Sequence, residues 1–289
     1  MRSQVDHQYL TGERALFFGQ DLDIVDTIFA DGESPLKHAS GINLDRVSFQ
    51  WKYPLWYTRD IQARQTTLLE TARSGIWYAD GVSFTDSLIG APKTFRRSRR
   101  IRLANTDLPQ ATETLWGCAD IELTDVTATG DYFAINSQGI KADHLRLSGN
   151  YAFDGASDIE IDNAILLSKD AFWNCHNVVV RHSILVGEYL GWNSTDVTFE
   201  DCTIESLQGL CYIDNLVMRR CRLLNTTLAF EYSQVDAQID GPVDSIINPA
   251  GGVIRCASVG QLTLDPGRID PAKVQIVTDA APDTSPAGG

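Results

Sequence analysis

The 289-residue sequence lacks several things that would settle its class at once. Its six cysteines include no C-x-x-C pair, and its 24 Lys and Arg are outnumbered by 38 Asp and Glu. Without clustered thiolates, iron–sulfur ligation has no framework. No stretch approaches the ~18 apolar residues of a membrane-spanning helix. The formal net charge of −14 argues against nucleic acid as the general partner. The N-terminal run Met1-Arg2-Ser3-Gln4-Val5-Asp6-His7 has no apolar h-region, so a signal peptide is not expected. These absences predict a reduced, cytoplasmic chain with no membrane or nucleic-acid partner, no cofactor and no metal site.

What the sequence does have is a repeat. Aliphatic residues open segments at Leu22, Ile42, Ile61, Val82, Ile101, Ile121, Ile140, Ile159, Val178, Val197, Leu216, Val235 and Val253. Eight of the twelve intervals equal 19, which scattered apolar residues would not give. A fixed period of this size marks a solenoid. Position three is apolar in nearly every segment, as in Leu44, Leu123 and Ile161. Position five is a turn residue, as in Asp86, Asn105 and Asn163, and positions six and eight are inward again. Period two, a corner, then period two is strand periodicity; a helix would need i, i+3, i+4. A second corner precedes each start (Asp60, Gly81, Asp120, Gly139, Asp158, Asn177), with Asp, Asn and Gly suited to tight turns. Two residues earlier stands a small-residue column: Thr58, Ala79, Ser98, Cys118, Ser137, Ala156, Cys175, Ser194. Cys118 and Cys175 lie in it, while Cys202 and Cys221 share column six, so these thiols read as small core residues.

The expected fold is all-β, a single-stranded right-handed parallel β-helix of triangular section, with three short strands per turn. About twelve turns of ~19 residues would make a rod of roughly 60 Å. No leucine-rich or helical repeat pattern competes. Residues 1–21 would cap the first turn, 22–264 form the coil, and 265–289 a C-terminal extension whose Pro-, Ala- and Gly-rich end, from Ala280, is expected to be disordered.

Five residues before each start runs the column Trp56, Trp77, Arg96, Trp116, Ile135, Asp154, Trp173, Trp192, Cys211, Phe230, which holds five of the six tryptophans. The residues just before it are mostly apolar, so alternation places the tryptophans outside. The next column back (Pro54, Gly75, Thr94, Thr114, Ala152, Ala171, Gly209) would be a shallow floor. Beyond it a charged ridge holds Lys52, Arg73, Asp131, Asn150, Lys169 and Glu188. Such a face suits a linear carbohydrate. Three readings stay open: a ligand groove, a surface covered by another segment or subunit, or an aromatic ladder that only stacks. A homo-oligomer is equally open.

Catalysis would need carboxylates in that groove. Asp154, Asp170 and Glu188 are the acid–base candidates, since one or two coil rises match the ~5–9.5 Å separation used in glycoside hydrolysis. Arg73, Lys93, Arg96 and Lys169 would hold anionic groups. Tyr132, Tyr151 and Tyr189 share a column with Lys93, Glu113 and Asp170 whose direction alternation leaves undecided. The basic run Phe95-Arg96-Arg97-Ser98-Arg99-Arg100 is either a solvated corner or an anion site. His144 and His182 are corner residues too sparse for a metal.

The strings Trp51-Lys52-Tyr53-Pro54-Leu55-Trp56-Tyr57, Ala91-Pro92-Lys93-Thr94-Phe95-Arg96-Arg97, Lys169-Asp170-Ala171-Phe172-Trp173-Asn174 and Gly187-Glu188-Tyr189-Leu190-Gly191-Trp192-Asn193, with Gly32-Glu33-Ser34-Pro35-Leu36-Lys37, resemble the bacterial family called domain of unknown function 3737. The resemblance runs to about Ile254. It implies a pectin-lyase-like right-handed β-helix and brings no established activity. A hydrogenase label attached to some relatives finds no support in these cysteines. The family motifs coincide with Lys52, Trp56, Arg73, Trp77, Lys93, Glu113, Trp116, Lys169, Asp170, Trp173, Glu188 and Trp192. The expected function is carbohydrate binding, or processing of hydrolase or lyase type, along the Trp-lined face, with an oligosaccharide or other anionic small molecule, held also by Asp131 and Tyr189, as partner. The alternative is a non-catalytic module whose Trp face meets protein.

Overall fold

The computed structural model describes residues 2–279; the expectation for Ala280–Gly289 lies outside the described residues. The chain is a right-handed parallel β-helix. Its first side stacks fifteen rungs, from Ser3–Asp6 through Gln20–Val25 and Ser40–Asp45 to Gly251–Cys256 and Val274–Thr278. The count exceeds the expected twelve because strands pair at both ends of the repeat. Ser3 aligns with Leu22, and Val274 with Gly252.

The register confirms the sequence alignment residue by residue. Leu22 pairs with Ile42, Ile42 with Ile61, and the column continues through Ile121, Ile140 and Ile159 to Val235. It departs at the last step, where Val235 pairs with Gly252, one residue before the aligned Val253. On the second side, Leu147, Leu166, Leu185 and Ile204 form one buried column.

The third side is not the expected strand. Tyr132, Ala134 and Asn136 have φ of 62°, 59° and 52°, and Asp170, Phe172 and Asn174 repeat this at 57°, 59° and 55°. Left-handed backbone at alternate non-glycine residues costs roughly 1–2 kcal/mol each. Ladder hydrogen bonds in both directions hold it: Tyr132 N donates to Asn150 O (2.8 Å), while Ala134 N donates back to Thr114 O (2.9 Å). The consequence is that two successive side chains point inward, as Phe133 with Ala134 and Ala171 with Phe172.

The core runs the length of the coil. Phe29 stacks on Phe49 at 4.9 Å and Phe153 on Phe172 at 5.1 Å. The small-residue column does more than permit close stacking, because its hydroxyls satisfy corner amides that the ladders miss. Ser98 Oγ accepts from Ala79 N (3.0 Å), Ser137 Oγ from Cys118 N (2.8 Å) and Ser194 Oγ from Cys175 N (2.9 Å). The opposite corner uses the same device through Ser87 and Ser183. All six cysteines are free and buried, as expected of core residues. Burial pushes the Cys118, Cys175 and Cys211 thiols up to about 12.

Candidate functional site

The tryptophans of the column, with Arg96 and Asp154, are half-buried on the outside of the third side, whereas Ile135, Cys211 and Phe230, expected outside by the same alignment, are buried. The column's rings are stacked along the rod. Trp56 and Trp77 lie 5.0 Å apart at 8°, and Trp173 and Trp192 5.8 Å apart at 11°. The Arg96 guanidinium fills the rung between Trp77 and Trp116, 5.2 and 4.8 Å from their centroids. Indole N–H groups donate to carbonyls of the next turn: Trp56 to Ser74, Trp77 to Lys93, Trp173 to Tyr189 and Trp192 to Gln208. Both faces of Trp77 are therefore taken, by Trp56 and Arg96, and Trp173 and Trp192 cover one face of each other, while Trp116 has Arg96 on one face only among the described residues.

The shallow floor is a correction. Pro54, Gly75, Thr94, Thr114, Ala152, Ala171 and Gly209 are buried, because the left-handed residues turn this column into the core together with the next one. The tryptophans thus stand beside a closed wall. The charged ridge is exposed or half-buried as expected, and mostly self-paired. Lys52 meets Glu33 (3.3 Å), Lys169 meets Glu188 (3.0 Å), and Lys93 and Arg96 converge on Glu113. Asp131 accepts the Asn150 amide (2.7 Å). Arg73 is exposed, and its guanidinium has no partner among the described residues.

The Tyr-rich column points outward for Tyr132, which is 39% exposed, and half-way for Tyr151 and Tyr189; Tyr189 carries Lys169 Nζ at 5.3 Å. Asp170, in the same column, is 2% exposed. Burial pushes its carboxyl up, and the Lys169 ammonium and the Tyr151 hydroxyl pull it partly back. Asp154 occupies the polar break in the ladder between Ile135 and Trp173 and accepts from Asn174 Nδ2 (2.8 Å). Glu188 and Asp154 lie close enough for their charges to raise the Asp170 carboxyl further.

The histidines are corner residues in ion pairs: His144 with Asp143 (3.1 Å), and His182 with Asp162 (2.7 Å) and Asp201 (3.7 Å). Asp6, His7 and Asp26 bring three donor atoms within 4.8 Å of one another, but Arg46 already pairs with Asp26 at 2.7 Å. No helix among the described residues is long and apolar enough to cross a membrane.

Three adjoining surface depressions lie on the outer face of the first side. One is lined by Asn43, Asp45, Gln62, Arg64, Ser83 and Thr85. Its neighbour shares Gln62 and Ser83 and adds Asp60, Arg100, Arg102, Asp120 and Glu122. A third shares Glu122 and continues through Lys141 and Glu160 to Arg181. Sequence reasoning missed this face, although a signal was present. The outward row Asp23, Asn43, Gln62, Ser83, Arg102, Glu122, Lys141, Glu160 is polar throughout and then changes to Val179, Thr198 and Val217. Chemically, the row offers donors and acceptors to an extended hydroxylated ligand.

A family model described as "Protein of unknown function (DUF3737)" matches residues 3–277. The chain belongs to this family. The match covers every rung from Ser3 into the last strand, so the family and the coil are coextensive. No curated protein matches. Among solved structures, the chain is similar to the Azotobacter vinelandii mannuronan C-5 epimerase AlgE4 A-module, at 10% identity and TM-score 0.36, over 99% of this chain and 91% of that one. It is similar to PfbA, a surface adhesin of Streptococcus pneumoniae, at 9% identity and TM-score 0.29, over 90% and 70%. It is also similar to QnrB1, a plasmid-mediated fluoroquinolone resistance protein, at 14% identity and TM-score 0.26, over 78% and 90%. None of these likenesses bears on substrate or site, and the fold of this family member rests on the strand pairing.

Proposed function

We propose that the protein is a carbohydrate-binding β-helix that lays an extended saccharide along the outer face of its first side. The observation that supports this reading is the run of three adjoining depressions from Asn43 to Arg181, each lined largely by polar and charged residues. Successive rungs present one polar side chain every ~4.8 Å, a spacing comparable to a sugar residue in a chain. The tryptophan column then acts as a staple: the faces that Trp56 and Trp77, and Trp173 and Trp192, turn toward each other are closed to a sugar or a protein partner. The test is a glycan array probed with wild type, the triple variant Gln62→Ala/Glu122→Ala/Glu160→Ala, and Trp192→Ala. Binding lost in the triple variant and kept in Trp192→Ala supports the reading; the reverse pattern removes it.

A processing activity is the second reading, and the buried Asp170 favours it. Its carboxyl is shifted toward holding a proton, as a general acid requires, with Asp154 and Glu188 alongside as bases. In this reading turnover of a glycan substrate falls at least 100-fold in Asp170→Asn; turnover unaffected by that change removes it.

A further inference from the structure

The aromatic column one residue after the tryptophans stops abruptly. Phe18 stacks on His38 (5.1 Å, 16°), His38 on Tyr57 (5.0 Å, 13°) and Tyr57 on Tyr78 (4.9 Å, 9°). The next two positions of that column are Arg97 and Gly117, and no ring or guanidinium stacks on Tyr78 from that side among the described residues. Tyr78 is 38% exposed, and this face of its ring carries no stacked partner.

A depression of about 380 Å³ lies against this face, lined by Arg59, Tyr78, Asp80, Arg97, Arg99 and Gly117. Its charge is opposite to that of the molecule. Three guanidinium groups face one carboxylate, in a chain whose net charge is −14. Arg99 is already committed to Asp80 at 2.6 Å, and Asp80 also takes Arg100 at 2.5 Å. The guanidinium groups of Arg59 and Arg97 have no hydrogen-bond or ion-pair partner among the described residues. Glycine at 117 leaves the rung beyond Arg97 without a side chain; a Cβ there would lie 3.8 Å from Arg97 Cγ, so the gap lies beside the Arg97 stem. Two uncommitted guanidiniums beside an open phenol ring combine the two contacts that an acidic sugar uses, a stacked ring face and a charge-assisted hydrogen-bonded anion.

We propose that the Tyr78 depression is a binding subsite for a sugar that carries an acid group, with its ring on Tyr78 and its carboxylate or phosphate on Arg59 and Arg97. The proposal rests on the carbohydrate reading and names the chemistry of one ligand unit. It adjoins the trough through the chain neighbours Arg59–Asp60 and Arg99–Arg100, which line the two depressions.

The test is ligand-observed NMR titration of the full chain with glucuronate, glucose 6-phosphate, glucose and inorganic phosphate. One of the two acidic sugars is expected to bind at least tenfold more tightly than glucose and than inorganic phosphate, and the preferred one identifies the acid group. Arg97→Ala and Arg59→Ala should each weaken that binding at least fivefold, Tyr78→Ala likewise, and Arg222→Ala, an exposed arginine on the second side, should leave it unchanged. Phosphate binding as tight as either sugar, with no effect of Tyr78→Ala, would reveal a plain basic patch and overturn the proposal. So would binding of neither acidic sugar, or binding indifferent to Arg59 and Arg97. Neutral glycans held through Gln62, Glu122 and Glu160 while the Tyr78 variants bind normally would overturn the subsite alone and leave the carbohydrate reading standing.

Discussion

The guanidinium carbon of Arg96 lies 4.8 Å from the ring centroid of Trp116. With Trp77 on its other side, Arg96 is a charged rung within an aromatic stack, and its carboxylate partner is Glu113. A guanidinium between two rings is stabilised by about 0.5–2 kcal/mol per face. Arg96→Ala is therefore expected to lower unfolding stability by about 1–3 kcal/mol, read as a shift of the urea midpoint. An unchanged midpoint would show that the stack does not need its cation.

Ser137 offers a sharper test of the corner hydroxyls. Its Oγ accepts from Cys118 N at 2.8 Å and donates to Leu115 O at 2.6 Å, with nothing else to replace it. Ser137→Ala leaves a buried N–H unpaired and should cost about 1–3 kcal/mol. Ser137→Thr, which keeps the hydroxyl as Thr58 does in this column, should recover part of the loss. Equal stability of wild type and Ser137→Ala would mean that the column is only about size.

The two variants also mark where the sequence was legible. Small size in the Ser137 column and outward placement of Arg96 follow from the 19-residue register, because a parallel coil places equivalent residues one above another. The hydroxyl caps follow from three-dimensional proximity between turns, which the column hinted at only through its choice of Ser and Thr. The third side was misread for a physical reason. Alternation assumes extended backbone, whereas Ala134 and Phe172 are left-handed, and in that column only Gly191 is a glycine that could announce it. That one conformational change buried Ala152 and Ala171 and removed the groove floor. The polar face from Asn43 to Arg181 was readable in its outward row, but the tryptophans drew the eye to residues that already stack on one another or on Arg96.

Two groups lose stability as pH rises, in different pH ranges. The Asp170 carboxyl is raised in the folded chain above the usual 3.8, so the native state binds its proton more readily than the unfolded state does. Stability contributed by this group therefore falls as pH rises through that interval. Asp170→Asn should be more stable than wild type at neutral pH, with the difference shrinking as pH drops toward 3.8. A constant difference across pH would contradict the buried carboxylate.

His182 is raised above 6.5 chiefly by its hydrogen bond to Asp162. A histidine raised in this way contributes stability below pH 6.5 that is lost as pH climbs through the folded value. His182→Gln should flatten that part of the stability profile, by a small amount because the ring is exposed. A wild-type profile already flat between pH 6 and 8 would remove the effect.

The central claim is that ligand lies on the first side and the tryptophan ladder serves the coil. A crystal structure with a bound oligosaccharide tests it most directly. Sugar density is expected along Gln62, Arg102, Glu122 and Glu160, with indole pairs such as Trp173 and Trp192 still stacked on one another. Density over the indoles, with Trp173 and Trp192 parted to admit a sugar ring, would contradict it.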